Sequence, residues 1–316
     1  MKSKAVEALR AVLEAKTGAV TREGQESMAT AVAEAIDERR HLLVEAGTGT
    51  GKSLAYLVPA IAAGRRLVVA TATKNLQNQL ADQELPFLAS AWPGPLTWAV
   101  VKGRQSYVCM AKLVERFGAD LQTEMLFAPD DDAAAIGEIR EWALNNPNGD
   151  RDDLPEAVSD DVWRSVSVSG MECPGKARCP QGEVCFAEKA KDQAAESQVI
   201  ITNHHLYGLN LVSGGAILPD HDVVVFDEAH RIETALSSAF GVDLGGGRLR
   251  SLANNAMRVI DPALDPDDII GTVRDAANEL ESVVRGLPGT QLDPADGELG
   301  IALRTAERLA RTLTDR

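Results

Sequence analysis

Eight consecutive residues, Ala46-Gly47-Thr48-Gly49-Thr50-Gly51-Lys52-Ser53, carry the clearest chemistry in the chain. They fit the phosphate-loop pattern at every position but the first, where alanine stands in place of glycine. The glycines permit backbone conformations that turn several N–H groups onto one anion, so residues 47–51 would cradle phosphates. Lys52 would reach the β- and γ-phosphates of ATP, and Ser53 would hold Mg²⁺. Far downstream, the apolar run Val223 to Phe226 leads straight into Asp227-Glu228-Ala229-His230. Two adjacent carboxylates at a strand end complete such a site. Asp227 would bind Mg²⁺ through water, and Glu228 would polarise the attacking water. The residues alone give His230 no role in ATP chemistry, and a packed or surface histidine is the simpler reading.

Four cysteines form the other chemical group: Cys109, Cys173, Cys179 and Cys185. The last three fall within 13 residues, and Cys173 and Cys179 each precede a proline. Three thiolates this close call for a common centre. The Cys-x-x-Cys pairs usual for structural zinc are missing. Four thiolates also suit an iron–sulfur cluster, so the spacing leaves cluster and zinc both open, with the cluster favoured.

These groups need a scaffold. Residues 5–15 and 25–40 have apolar positions at helical spacing. His41 to Val44 is a short apolar run entering the phosphate loop, and Leu54 to Ala63 reads as the helix that leaves it. Leu67 to Thr71 reads as a strand, followed by a helix from about Asn75 to Gln83, and Gln198 to Thr202 and Val223 to Phe226 as further buried strands. Strand, loop, helix and strand in this order predict a parallel α/β sheet. From about 90 to 190 the pattern loosens, which predicts an insertion. After 240, helical stretches alternate with Gly, Pro and Asp.

The chain has 316 residues, 45% of them hydrophobic and 25% charged, as in an ordinary globular protein of about two domains. The net charge of −15 counts against a generally nucleic-acid-binding surface. Its source is local, however. Residues 130–161 hold eleven acids against two bases, and residues 261–298 ten against two. Trp98 to Arg116 is basic, so a basic groove on an acidic body is compatible with the composition. The first twenty residues read as an amphipathic helix, not a leader. Leu54 to Ala63 is the longest apolar stretch and is too short to cross a bilayer. The expectation is a cytoplasmic protein with no membrane partner.

The ordered set of boxes resembles the DinG/XPD family of superfamily-two iron–sulfur DNA helicases, and its DinG-like bacterial branch most closely. Arg22-Glu23-Gly24-Gln25 looks like the family's adenine-reading glutamine motif, and Glu45 to Ser53 like its motif I. Val69 to Thr73 with Leu76-Gln77-Asn78-Gln79-Leu80 looks like motif Ia. Lys102 to Cys109 looks like the entry to the cluster domain, and Ile201 to Leu206 precedes the carboxylate box as it does in that family.

The resemblance covers roughly residues 20–240. It implies a RecA-like motor domain in two parts, 1–100 and 191–240, around an iron–sulfur domain at 101–190, with 241–316 as the start of a helical arch. It implies Gln25 at the adenine and His230 in the catalytic group, and a 4Fe-4S cluster on the four cysteines. It also implies 5′-to-3′ translocation on single-stranded DNA by a monomer that acts on forked or structured duplexes. A motor must grip any sequence, so Thr71 and Thr73 are expected to donate to DNA phosphates and Lys102 and Arg104 to neutralise them, while Asn203 and His204 either lie at the DNA or pack against the strand. No Ser-Ala-Thr box and no Gly-Arg-x-x-Arg run follows residue 230, so the expectation is a truncated chain that binds ATP but hydrolyses it weakly. The alternative is a non-catalytic nucleic-acid-binding or redox-sensing module on a nucleotide-binding fold.

Overall fold

A computed structural model of the chain describes residues 2–15, 22–47, 50–117, 132–241, 245–259, 268–286 and 297–314. It divides into two compact units, Met1–Phe240 and Gly241–Arg316.

The first unit opens with α1 (Lys2–Glu14) and α2 (Glu23–Glu38), which ends where Arg39 takes a left-handed backbone. α3 (Lys52–Ala62) leaves the phosphate loop; Leu54 through Ile61 are buried on every side, so it is a core helix with no solvent face. β1 (Leu67–Thr71), β2 (Trp98–Val100), β3 (Val199–Asn203) and β4 (Val223–Phe226) form one sheet in the order β2-β3-β1-β4, all neighbours parallel. Alternation sorts their side chains to two faces. Leu67, Val69, Val199 and Ile201 pack with α1, α2 and α3, whereas Val68, Ala70 and Ile200 pack on the opposite face with Leu206 and Tyr207. Both faces are covered, which explains why β1 reads as an unbroken apolar run.

Between β1 and β2 lie α4 (Lys74–Gln79), a π-helical turn at Leu80–Glu84 and α5 (Leu85–Ala91). The single helix expected over Asn75 to Gln83 is therefore interrupted. After β2 the chain builds a separate helical core from α6 (Met110–Phe117), α7 (Ala133–Asn145), α8 (Asp160–Val166) and α9 (Phe186–Ala195). Leu113, Ile136, Ile139, Trp163 and Phe186 lie at its centre. α10 (His204–Val212) follows β3, and α11 (Ile232–Phe240) follows β4.

Two sequence expectations fail here. β2 lies inside the stretch read as insertion, yet it extends the sheet through Trp98–Val199 and Val100–Ile201 pairing. At three residues it is too short to show a period. Conversely, His41 to Val44 is not a strand, and Leu43 is 88% exposed. A strand needs a ladder partner, and among the described residues none runs beside it. β4 is the outer strand on its side of the sheet, and all four of its residues are only half-buried.

The second unit contains α12 (Gly246–Val259), α13 (Ile269–Arg285) and α14 (Gly297–Thr314). Ile270, Val273, Ala276 and Leu280 recur at helical spacing along α13. Ile270, Val273 and Ala276 pack with Ala253, Leu309 and Leu313.

Candidate nucleotide site and nucleic-acid cleft

The phosphate loop and the carboxylate box meet at the carboxyl ends of the parallel strands, where open α/β sheets bind ligands. Lys52 Nζ lies 3.3 Å from Glu228 Oε1, across 176 positions of sequence. Glu228 reaches this point because its backbone is left-handed, with φ 58°, which turns the chain sharply after β4. The Glu228 N–H donates to Asp227 Oδ1 at 3.0 Å. On the other side Tyr56 Oη donates to Asp227 Oδ2 at 3.0 Å. Burial, together with the neighbouring Asp227 charge, pushes the Tyr56 phenol well above its ordinary range, so it stays a donor. His230 Nδ1 lies 3.5 Å from Glu228 Oε2 on an exposed side chain.

Sequence reasoning missed Tyr56. The available signal was its position three residues after Ser53, on the same face of α3. Tyr56 thus ties Asp227 to the first turns of the helix that carries Ser53, and Ser53 and Asp227 are both oxygen donors of the hard type that Mg²⁺ takes.

Gln25 does not stand free to read a base. It is 5% exposed, and its Nε2 donates to the Gly51 carbonyl at 3.0 Å, pinning the end of the phosphate loop. Gly51 has φ 75°, and a Cβ there would collide with the Gln25 amide. Thr50 Oγ1 donates to the Gly47 carbonyl at 2.9 Å, while Thr48 and Gly49 lie outside the described residues. Gly51→Ala should therefore weaken ATP binding at least tenfold and lower stability by about 1–3 kcal/mol, through left-handed strain and the lost Gln25 seat. Titration with a fluorescent ATP analogue, alongside a denaturant melt, measures both; wild-type affinity in the variant would refute the Gln25 latch.

A cleft of about 640 Å³ opens beside this site. Thr73 and Lys74 enter it from the start of α4, Asn203 and His204 from the end of β3, and His230 and Arg231 from the turn after β4. Thr73 and Asn203 also cap α4 and α10, accepting from the Leu76 and Leu206 N–H groups.

The other three residues expected at DNA are turned away from it. Thr71 is fully buried and donates to the Thr73 carbonyl at 3.1 Å. The Lys102 side chain is 6% exposed, with its ammonium 2.5 Å from Asp150 and 2.9 Å from Asp152. Asp152 also takes Lys74 at 3.0 Å. Although burial opposes it, these two lysines hold the Asp152 carboxyl below its usual range. Arg104 is paired with Glu188. A basic residue read from sequence as a phosphate contact is here the counter-ion of distant acids.

Cys109, Cys173, Cys179 and Cys185 line one small cavity together with Arg104 and Lys176, and none is in a disulfide. Burial raises the Cys109 thiol, and neighbouring Cys179 and Cys185 add to the effect. Burial disfavours the Arg104 charge, but Glu188, Cys173 and Cys185 outweigh it, so the guanidinium stands beside the thiols as a fixed cation. Among the described residues no group of three or more His, Cys, Asp or Glu side chains is arranged to hold a metal ion.

Comparison with known proteins agrees with the motor geometry. Residues 25–115 match the DEAD/DEAH box helicase family. The chain is 41% identical over 276 residues to the ATP-dependent helicase DinG of Mycobacterium tuberculosis, covering 82% of this chain and 42% of that protein. It is 35% identical over 241 residues to the ATP-dependent DNA helicase YoaA of Escherichia coli, covering 74% and 37%. Against the 3′-5′ exonuclease DinG of Bacillus subtilis it is 29% identical over 240 residues, covering 73% and 25%. A parallel sheet with a phosphate loop facing an Asp-Glu-Ala-His turn is the arrangement of a RecA-like fold, and residues 25–115 carry its DEAD/DEAH box similarity. Over most of its length the chain is similar to the DinG and YoaA helicases. It spans about two fifths of the length of the DinG protein that it matches at 41% identity.

Proposed function

We propose that this chain supplies the nucleotide-binding motor domain of an ATP-dependent DNA helicase that moves 5′ to 3′ along single-stranded DNA and opens forked or structured duplexes. The observation that carries it is the meeting of Lys52, Asp227 and Glu228 beside a cleft lined by Lys74 and Arg231. Intact Lys52, Asp227 and Glu228 favour a motor over a non-catalytic binding module.

Before ATP arrives, Lys52 is held by Glu228. The incoming γ-phosphate competes for the ammonium, so binding draws Lys52 off the carboxylate and frees Glu228 to orient water. Ser53 and Asp227 would hold Mg²⁺, and Tyr56 would fix the spacing of the two. Magnesium, when bound, neutralises charge that develops on the phosphates. His230 stands beside Glu228 and belongs to the box through that contact.

The four cysteines would hold a 4Fe-4S cluster. Their convergence on one cavity, unpaired and beside the Arg104 cation, fits an anionic group of that kind. The second unit, Gly241–Arg316, would be part of an arch. We place the protein in the cytoplasm as a monomer; no described helix is long and apolar enough to span a membrane.

Fluorescence anisotropy with a labelled single-stranded oligonucleotide tests the reading. Binding should weaken steeply as salt rises, as phosphate contacts require, and should respond to ATP. No detectable binding at low salt would overturn it.

A further inference from the structure

Asp152 is shared by two lysines of unlike surroundings. It sits in the 3₁₀ turn Arg151–Asp153, within the helical core that follows β2. Its Oδ2 takes Lys102 Nζ at 2.9 Å, and its Oδ1 takes Lys74 Nζ at 3.0 Å across 78 positions of sequence. Lys102 is buried and is also held by Asp150, so it stays where it is. Lys74 opens α4, lines the cleft, and has a side chain that is 60% exposed. An ion pair with such a partner is weak and readily exchanged, because water competes for the charges. Asp152 cannot follow the lysine into the cleft. Its own N–H donates to Asp150 Oδ1 at 3.1 Å, and the neighbouring Gly149 carbonyl accepts from the Val108 N–H at 2.9 Å.

In the empty cleft the two lysines balance the two acids. A phosphate that draws Lys74 away leaves Lys102 alone against Asp150 and Asp152, a net negative charge beside the nucleic acid. Asp152 therefore works against the grip of the cleft, since a strand must win Lys74 from it. We propose that Asp152 is a positioning residue that holds Lys74 while the cleft is empty and yields it to a nucleic-acid phosphate. The inference rests on the functional reading above. Its consequence lies near the cysteines. The segment that holds Lys74 is hydrogen-bonded to Val108, next to Cys109, so a bound strand unties α4 from the part of the chain that lines the cysteine cavity.

The test is a set of anisotropy titrations of a labelled thymine oligonucleotide at several salt concentrations, with the parent, Asp152→Asn, Lys74→Gln and the double variant. Asp152→Asn should tighten binding about threefold or more, and the same change made in Lys74→Gln should alter it by less than about 1.5-fold, since no lysine is left to release. Asp153→Asn removes the same charge one residue away, where the carboxylate holds Asn148, and should stay within about 1.5-fold of the parent because salt screens a charge that makes no direct contact. Lys74→Gln should lower the slope of log affinity against log salt by about one. No tightening in Asp152→Asn, or equal tightening in both backgrounds or from Asp153→Asn, would overturn the inference and leave the helicase reading intact. An unchanged salt slope in Lys74→Gln would overturn it as well, even if Asp152→Asn failed to fold, because the lysine would then never reach a phosphate. Failure of the parent to bind at low salt would overturn the functional reading and this inference with it.

Discussion

Lys52→Ala should weaken MgATP binding by about ten- to a hundredfold and leave the thermal stability almost unchanged. Hydrogen bonds to charged groups are worth about 1.5–3 kcal/mol, and the lysine supplies the loop's one full charge to the phosphates. Stability should barely move because Lys52 and Glu228 are each about a quarter to a third exposed, and an ion pair of that kind contributes roughly 0–1 kcal/mol. The orphaned Glu228 keeps solvent and His230. Calorimetric titration of parent and variant with MgATP measures the first effect, and a thermal melt the second. An unchanged titration would remove the phosphate loop from the mechanism. A collapsed melt would mean that Lys52 holds the fold instead of the ligand.

Cys185→Ser should abolish iron binding and loosen the helical core that follows β2, while sparing nucleotide binding. Purified without oxygen, the parent should carry about four irons per chain with a broad visible absorbance. Cys185 sits on the edge of the core built by Leu113, Trp163 and Phe186, so a cluster bound there would share its folding energy with that core. The motor core of α1, α2, α3 and the sheet is a separate cluster of side chains, which is why ATP affinity should survive. Limited proteolysis should cut the variant within residues 107–190 faster than the parent. One equivalent of zinc and no iron in the parent would replace the cluster by a zinc site.

The two carboxylates and the phosphate loop were legible in the sequence because their chemistry dictates residue types at short spacing. The partnerships that aim them were not. Nothing near Gln25 announces that it will hold Gly51, and nothing near Tyr56 announces Asp227; both meetings depend on how helices pack on a sheet. Lys102 shows the same limit in reverse. Its charge suggested a phosphate contact, but Asp150 and Asp152, about fifty positions away, neutralise it inside the protein. Long apolar runs gave β1, β3 and β4 to within a residue. β2 was too short to be seen, and His41 to Val44 had the composition of a strand without a neighbour to make it one.

The outward edge of β4 has a bearing on how the protein behaves in a tube. Its backbone groups on that side find no ladder among the described residues, and Leu42, Leu43 and Val44 lie exposed. Open edges and bare apolar runs are where chains stick to one another. They are also where amides exchange with solvent first. The strand that leads into Asp227 and Glu228 is therefore a place where the sheet is open to self-association.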